Sequence, residues 1–317
     1  MPKCNHANPL FAGENPRQII SYIDLTIRKK LDGLAHGIYK NIMPGSGMEP
    51  SEARKYFPGD DVRRIDWTIT ARTQELYVRD QEAEKEMTSW IVLNLAPSTH
   101  YGTGRIKKCE LGLYSALLSA MIILKSQGNR VGFILGDKDG SVIFKPESNS
   151  NLVYRMLEQY QSFDARDRTK DDSQSDLSTL LKKIGALAVR RSTIIVISPM
   201  SISKPSQLKE ELSLLQYLNT KHHVVLIQNS DKRDLELVNA GIVDFINPDT
   251  GRVTSVDTSS IKIRNKYKEI CEIKNSKLID SLNSSNITHI ETDTHDDFEK
   301  DFVRAFAFYK QLNQMGK

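Results

Sequence analysis

The amino-acid sequence predicts an α/β protein in which helices flank a mainly parallel sheet. From residue 90 onward, short apolar runs alternate with stretches of helical periodicity, which is the pattern of βαβ units. Apolar residues make up 39% and charged residues 26% of the 317 residues, a balance typical of a globular fold. The chain is therefore long enough for one large domain with a smaller extension.

Residues 1–85 are predicted to form an N-terminal extension that contains helix and strand. Apolar side chains recur at helical spacing over 16–40, which predicts one or two amphipathic helices that could dock on the main domain. Pro58 and Gly59 predict a turn, and Asp60 or Asp61 could cap a short helix after it. A strand is expected over 76–78.

Residues 86–317 are predicted to form the main domain. Its strands are expected over 90–95, 131–135, 141–144, 194–198, 224–228 and 287–291. Its helices are expected over 105–127, 150–162, 175–190, 205–220, 263–282 and 297–313. The polar stretch 164–176 is expected to be an exposed loop.

Composition and charge narrow the class of protein. The net charge of +4 is small, and the basic cluster between residues 54 and 79 is interleaved with acids, which does not favour nucleic-acid binding. Three widely spaced cysteines predict no disulfide framework. The N-terminus lacks the apolar region of a signal peptide, and the longest apolar stretch, 117–124, is too short to span a bilayer. A cytoplasmic location is the expectation.

One segment carries a specific resemblance. Residues 58–72 read PGDDVRRIDWTITAR, and they are followed by a strand and by a loop that ends in Gly102. This arrangement resembles domain-of-unknown-function family fifty-eight, specifically over residues 40–145 and more loosely to the end. The resemblance implies a von Willebrand factor A-like, Rossmann-type fold. It also implies a partner, because members are often encoded beside a MoxR-type AAA+ ATPase.

The resemblance also indicates where a metal ion would lie. Metal-binding domains of this fold carry Asp-x-Ser-x-Ser after the first central strand, and a Thr and an Asp from two later loops complete the site. These positions fall on Asn94, Ala96, Ser98, Ser175 and Pro199 of this chain. Two of these residues lack a side-chain oxygen and Asn94 lacks charge, whereas Mg²⁺ prefers carboxylate oxygens. We therefore expect a degenerate adhesion loop without a cofactor. A weak Mg²⁺ site, completed by water or by the aspartate after Ser175, is the alternative.

Five residues of the 58–72 segment form the candidate interaction surface. They are Arg63, Arg64, Asp66, Trp67 and Arg72. One interpretation is that the charged residues cap a helix and pair internally, with Trp67 buried beneath them. The other is an exposed docking surface, since Arg and Trp are common anchors of protein interfaces.

Three functions are compatible with these patterns. The first is a non-catalytic protein-interaction module that serves a MoxR-type AAA+ ATPase as adaptor or co-chaperone. The second is a Mg²⁺-dependent ligand-binding module that uses Ser98 and Ser175. The third is a hydrolase or a nucleic-acid binder. It has the least support, because no histidine stands in a triad or metal-ligand spacing and no glycine stretch completes a phosphate-binding motif.

Overall fold

The protein is seen in a computed structural model that describes residues 17–21, 53–58, 60–62, 65–79, 87–104, 106–124, 128–137, 140–164, 177–189, 191–200, 205–246 and 252–295. Its strands are β1 (Ala53–Lys55), β2 (Tyr77–Arg79), β3 (Thr88–Asn94), β4 (Arg130–Asp137), β5 (Gly140–Glu147), β6 (Thr193–Ser198), β7 (His223–Ser230), β8 (Ile242–Ile246), β9 (Val253–Asp257) and β10 (Thr288–Asp293). Its helices are α1 (Trp67–Thr73), α2 (Lys108–Leu124), α3 (Asn151–Asp164), α4 (Leu177–Leu187), α5 (Pro205–Asn219), α6 (Lys232–Leu235) and α7 (Ile261–Ser284).

The central sheet has six strands in the order β10-β7-β6-β3-β4-β5. The first five run parallel, and β5 pairs antiparallel with β4 at one edge. From β3 the chain continues to β4 on one side, and it later returns to β6 on the other side. The strand order therefore reverses beside β3, and in open α/β sheets this is where ligands bind, outside the carboxyl ends of the strands.

Helices cover both faces of this sheet, which explains why its inner strands are apolar along their whole length. On one face Leu93 and Phe133 pack against α2 and α3, and on the other Val92 and Val196 pack against α4, α5 and α7. Residues 17–21 are helical, and their side chains Ile19 and Ile20 are buried in the first of these two cores. The expected docking of the N-terminal helix on the main domain is thus confirmed for these residues.

A small separate unit surrounds α1. Strands β1 and β2 pair antiparallel, and Asp66 is the N-cap of α1, where its Oδ1 accepts from the backbone N–H of Thr68 at 2.9 Å and of Ile69 at 3.2 Å. The cap of α1 is thus Asp66, which belongs to the charged residues that were expected to cap a helix, and neither Asp60 nor Asp61 caps α1. The Asp60 carboxylate instead accepts from the backbone N–H of Phe57 at 2.9 Å and closes the turn before the helix.

The interpretation in which Trp67 is buried beneath the charged residues was wrong, because 68% of this residue is exposed. Asp66 turns inward to cap α1, and the first helical residue then projects into solvent. No residue of α1 is buried.

Strands β8 and β9 form an antiparallel hairpin that the sequence patterns did not predict. Most of its side chains are exposed, so the period-two alternation of a half-buried strand is weak there. The predicted loop over 164–176, the predicted helix over 297–313 and the proposed domain boundary after residue 85 lie outside the described residues. Within the described ranges, no helix is both long and apolar enough to cross a bilayer.

Candidate functional site

The candidate site lies at the carboxyl edge of β3, β6, β7 and β10. Asn94 ends β3, and its side-chain amide donates from Nδ2 to the Ser198 hydroxyl at 3.1 Å, at the end of β6. The Asn94 Oδ1 accepts from the backbone N–H of Ala96 at 3.2 Å. The Nδ2 of this buried amide thus joins the ends of β3 and β6, and its Oδ1 fixes the first turn of the loop after β3.

The described residues of the expected metal loop do not fit a divalent cation. Asn94 is engaged by Ser198 and Ala96, and Pro199 follows β6 without a side-chain oxygen. Ser98 lies in a short 3-10 turn and is buried. Ser175 lies outside the described residues. A hard cation needs carboxylate charge, and none of the expected positions described here supplies it.

A cavity of about 280 Å³ opens beside this loop. Its wall includes Ser98, Lys108 and Asp234 together with residues of α7, notably Tyr267 and Cys271. Burial raises the pKa of both the Tyr267 phenol and the Cys271 thiol above their ordinary values, so both groups are uncharged near neutral pH. These two groups of α7 are therefore neutral, whereas Lys274 of the same helix adds a positive charge to the wall.

Lys108 places a buried positive charge in the wall of this cavity. Only 6% of its side chain is exposed, and its ammonium donates to both carboxylate oxygens of Asp234, at 2.9 and 3.1 Å. The same ammonium lies 5.4 Å from the centre of the Tyr101 ring. Burial, reinforced by the charges of Asp231 and Asp234, raises the pKa of Tyr101 to about 12. A divalent cation in this cavity would meet the repulsion of an ammonium group already present.

A second cluster surrounds Asp231, which follows β7 and is fully buried. Its carboxylate accepts from the backbone N–H and the hydroxyl of Thr103 at 2.6 and 2.7 Å, from the backbone N–H of Arg233 at 2.9 Å, and from the hydroxyl of Thr294. Burial by itself would raise the pKa of Asp231, but these hydrogen bonds outweigh it, and the pKa is lowered below its ordinary value. Asp231 therefore joins the loop after β3 to the ends of β7 and β10.

With His295, this cluster resembles a catalytic triad in which Thr103 would be the nucleophile, His295 the base and Asp293 the acid. Its Nε2 lies 3.4 Å from the Thr103 hydroxyl, and its Nδ1 lies 3.3 Å from the Asp293 carboxylate. The Thr103 hydroxyl, however, donates its proton to Asp231. A threonine whose proton is held by a carboxylate is not activated by the imidazole, so the arrangement favours a structural junction.

Sequence reasoning missed both the Lys108–Asp234 pair and the Asp231 cluster. The partners are separated by 126 residues in the first case and by 128 residues, between Thr103 and Asp231, in the second. The available signal was their position, because Asp231 and Asp234 directly follow an apolar strand whose carboxyl end reaches this edge.

The described residues of the predicted interaction surface lie on α1 and at its N-cap, and none of them lines the cavity. Trp67 and Arg72 are exposed, whereas Asp66 is only 6% exposed and serves as the helix cap. Arg63 and Arg64 lie outside the described residues.

A change at Asn94 tests the role assigned to its amide. Asn94→Asp is expected to lower the free energy of unfolding by about 1–3 kcal/mol at neutral pH, because a buried carboxylate replaces the Nδ2 donor to Ser198 without gaining a cation. Such an aspartate has a folded-state pKa above its unfolded value. The folded state then binds more protons, and stability falls as pH rises through this window.

Urea unfolding curves of Asn94→Asp and of the wild type, recorded at several pH values between about pH 4 and pH 8, check this expectation. The loss should shrink in acid and should be the same with Mg²⁺ or with chelator. Full restoration of stability by Mg²⁺ would contradict the metal-free interpretation of the loop and would support a cation site.

Comparisons with known proteins bear on both fold and family. A family model described as "Protein of unknown function DUF58" matches residues 52–276. Uncharacterized protein Rv1480 of Mycobacterium tuberculosis and Uncharacterized protein Mb1516 of Mycobacterium bovis are each 27% identical over 292 residues, covering 90% of this chain and 87% of theirs.

Two solved structures show a distant similarity to this chain. The SpRpn10 VWA domain is similar with a TM-score of 0.38 and 10% identity, covering 69% of this chain and 93% of its own. A mutant of the minor pilin PilB from Streptococcus sanguinis is similar with a TM-score of 0.43 and 7% identity, covering 76% and 65%. The predicted α/β architecture, a mostly parallel sheet between helices, is confirmed by the observed strand order and helix packing.

Proposed function

We propose, since the chain belongs to the DUF58 family, that it is a non-catalytic protein-interaction module that serves a MoxR-type AAA+ ATPase as adaptor or co-chaperone. The choice of an ATPase rests on the family resemblance of the 58–72 segment. The proposal of an interaction module rests on one observation, which is the exposure of Trp67 on a capped helix.

Trp67 is exposed to solvent, where a partner protein could contact it as an anchor residue. It is 68% exposed, and two further large apolar side chains, Val62 of the same segment and Phe57 directly before it, are 61% and 65% exposed. Tryptophan and arginine are the residue types that most often dominate binding energy at interfaces, and Arg72 at the end of the same helix is exposed as well. Grouped exposed apolar side chains of this kind favour an interaction surface.

The backbone around Trp67 is fixed before a partner arrives. Asp66 caps α1 through two backbone N–H groups and itself donates its backbone N–H to the Tyr77 carbonyl at 2.8 Å. A pre-organised side chain costs less entropy on binding than a disordered one. This arrangement supports recognition by a rigid patch.

The carboxyl edge supports recognition without a metal ion. The Asn94 amide is used internally, and the ammonium of Lys108 lines the neighbouring cavity. The Mg²⁺-dependent alternative instead requires uptake of Mg²⁺ by the chain alone, which calorimetry with and without chelator measures directly.

A pull-down tests the proposed function. The full chain should retain a MoxR-type AAA+ ATPase of the same organism, and Trp67→Ala should weaken this binding at least about tenfold, because loss of a tryptophan anchor typically costs about 2 kcal/mol or more. Tyr217→Ala is the matched control, since Tyr217 is also an exposed aromatic residue, 53% exposed, but lies on α5.

The control should bind as the wild type does. Equal binding by Trp67→Ala would remove this surface from the proposal, and absence of binding in every nucleotide state would overturn the partnership itself.

A further inference from the structure

We propose that the cavity between Ser98, Lys108 and α7 is a binding site for a carboxylate group, which an acidic side chain of a protein partner would supply. The inference deepens the proposed function and rests on it for the source of the carboxylate, whereas the site itself rests on the residues of the cavity. The cavity lies at the edge where the strand order reverses, and its volume of about 280 Å³ has room for an acidic side chain.

The Ser98 hydroxyl is an unused hydrogen-bonding group in the wall of the cavity. Ser98 belongs to the wall of the cavity and is 7% exposed, and its hydroxyl oxygen is buried without a hydrogen-bond partner in the described part of the chain. A buried hydroxyl without a partner is costly, so such groups in native proteins usually await a ligand or water. The Ser98 hydroxyl can donate to a ligand oxygen after rotation about its Cα–Cβ bond.

The Lys108 ammonium can donate one more hydrogen bond than it makes to Asp234. A lysine ammonium has three N–H donors, and the two carboxylate oxygens of Asp234 take at most two of them in the observed contact. Among the described residues, no other acceptor is bonded to this ammonium, which contacts the Tyr101 ring by its charge alone. A third N–H with a buried positive charge is therefore available to an anionic oxygen.

Hydrogen-bond acceptors in the wall of the cavity already have partners within the chain. Asp234 is bonded to Lys108, and the Gln228 Oε1 lies 2.9 Å from the His289 Nε2. The Glu291 carboxylate, which also lines the wall, is hydrogen-bonded to Ser230, while burial and the nearby Asp293 raise its pKa above the ordinary value. The polar groups left to a ligand are thus mainly donors, and Lys274 adds a second positive charge to the wall.

These three arguments favour an anionic acceptor over a cation or an apolar group. A carboxylate would accept from Ser98 and Lys108 together, and the Asn275 amide in the same wall can turn its Nδ2 toward it, since its buried Oδ1 has no partner in the described part of the chain. Lys108 would then provide, from within the chain, the positive charge that a bound metal ion provides elsewhere.

The experiment uses the full chain with labelled Met and Ile methyl groups, and glutarate as the probe. We expect the methyl signals of Met200 and Ile270, which lie in the wall of the cavity, to shift saturably, with a dissociation constant on the order of 1 mM. The same titration should succeed in chelator. Glutaramide, which has the same shape without the charge, should leave these signals unchanged.

Two variants and a control connect the binding to the named side chains. Ser98→Ala should weaken glutarate binding about fivefold, and the double variant Lys108→Met with Asp234→Asn, which removes both charges of the pair, should weaken it at least about tenfold. Ser119→Ala, which alters a buried hydroxyl bonded to the backbone within α2, should bind as the wild type does.

Absence of a saturable shift with glutarate, an equal shift with glutaramide, or unchanged binding by the double variant would overturn the proposal. A blocked peptide with one glutamate, compared with its glutamine counterpart, separates the two sources. Tighter binding of the glutamate peptide than of glutarate supports a partner side chain, and binding of glutarate alone overturns that source in favour of a free small acid. If glutarate binds while the pull-down fails, the proposed function falls and the carboxylate site stands.

Discussion

Asp231→Ala is expected to lower the free energy of unfolding by about 3 kcal/mol, which corresponds to roughly 5–10 °C in Tm for a chain of this size. The reason is that the fully buried carboxylate accepts four hydrogen bonds, from Thr103, Arg233 and Thr294. Its removal leaves these donors without their acceptor and separates three segments of the carboxyl edge. Urea and thermal unfolding measure the loss.

The same residue predicts a dependence on pH. The pKa of Asp231 is lower in the folded state than its ordinary value, so the unfolded state binds the proton more readily. The stabilisation by Asp231 is therefore fully present above about pH 5 and is lost as pH falls through its folded-state pKa. The difference in unfolding free energy between wild type and Asp231→Ala should shrink accordingly in acid.

Asp280→Ala is the control for this prediction. It removes an exposed carboxylate on α7 and should change the unfolding free energy by no more than about 0.5 kcal/mol. If Asp231→Ala were as mild as this control, or if its effect grew in acid, the junction described around Asp231 would be refuted.

The second large effect is expected at Gly104. A Cβ atom at this position would lie 2.2 Å from the backbone oxygen of Thr294, closer than any real contact, so Gly104→Ala must push the loop after β3 away from the end of β10. We expect a loss of about 2–3 kcal/mol, measured by the midpoint of urea unfolding. Gly140→Ala is the matched control, because a Cβ there meets nothing within 4 Å.

Both substitutions disturb the same junction, so their effects should not add. Once Gly104→Ala has displaced the loop, the hydrogen bonds from Thr103 to Asp231 are already weakened, and the double variant should lose less stability than the sum of the single losses. Strict additivity would mean that Gly104 and Asp231 act on separate features.

The main elements of the fold could be predicted because their signals are local. The apolar run at 90–95 became β3, Thr88–Asn94, and the helix expected over 263–282 became α7, Ile261–Ser284. The β8–β9 hairpin could not be predicted in this way, because its side chains are largely exposed and do not alternate between core and solvent. The residue that caps α1 could not be chosen from the sequence, because the segment offers three aspartates and local sequence does not decide among them.

The site was less predictable than the fold. The loop at Asn94 and Ser98 was located correctly because it follows a recognisable strand, but the use of the Asn94 amide depends on Ser198, 104 residues away. No sequence pattern singled out Lys108, because its burial against Asp234 is a consequence of how parallel strands bring distant loops to one edge. Pairing of this kind leaves no signal in a single sequence.

The most direct test of the proposed partnership is the binding isotherm between the full chain and a MoxR-type AAA+ ATPase of the same organism, measured without nucleotide, with ADP and with a non-hydrolysable ATP analogue. We expect saturable binding in at least one nucleotide state. Trp67→Ala should weaken the affinity at least about tenfold, and Tyr217→Ala should leave it unchanged. Absence of binding in all three states would contradict the account.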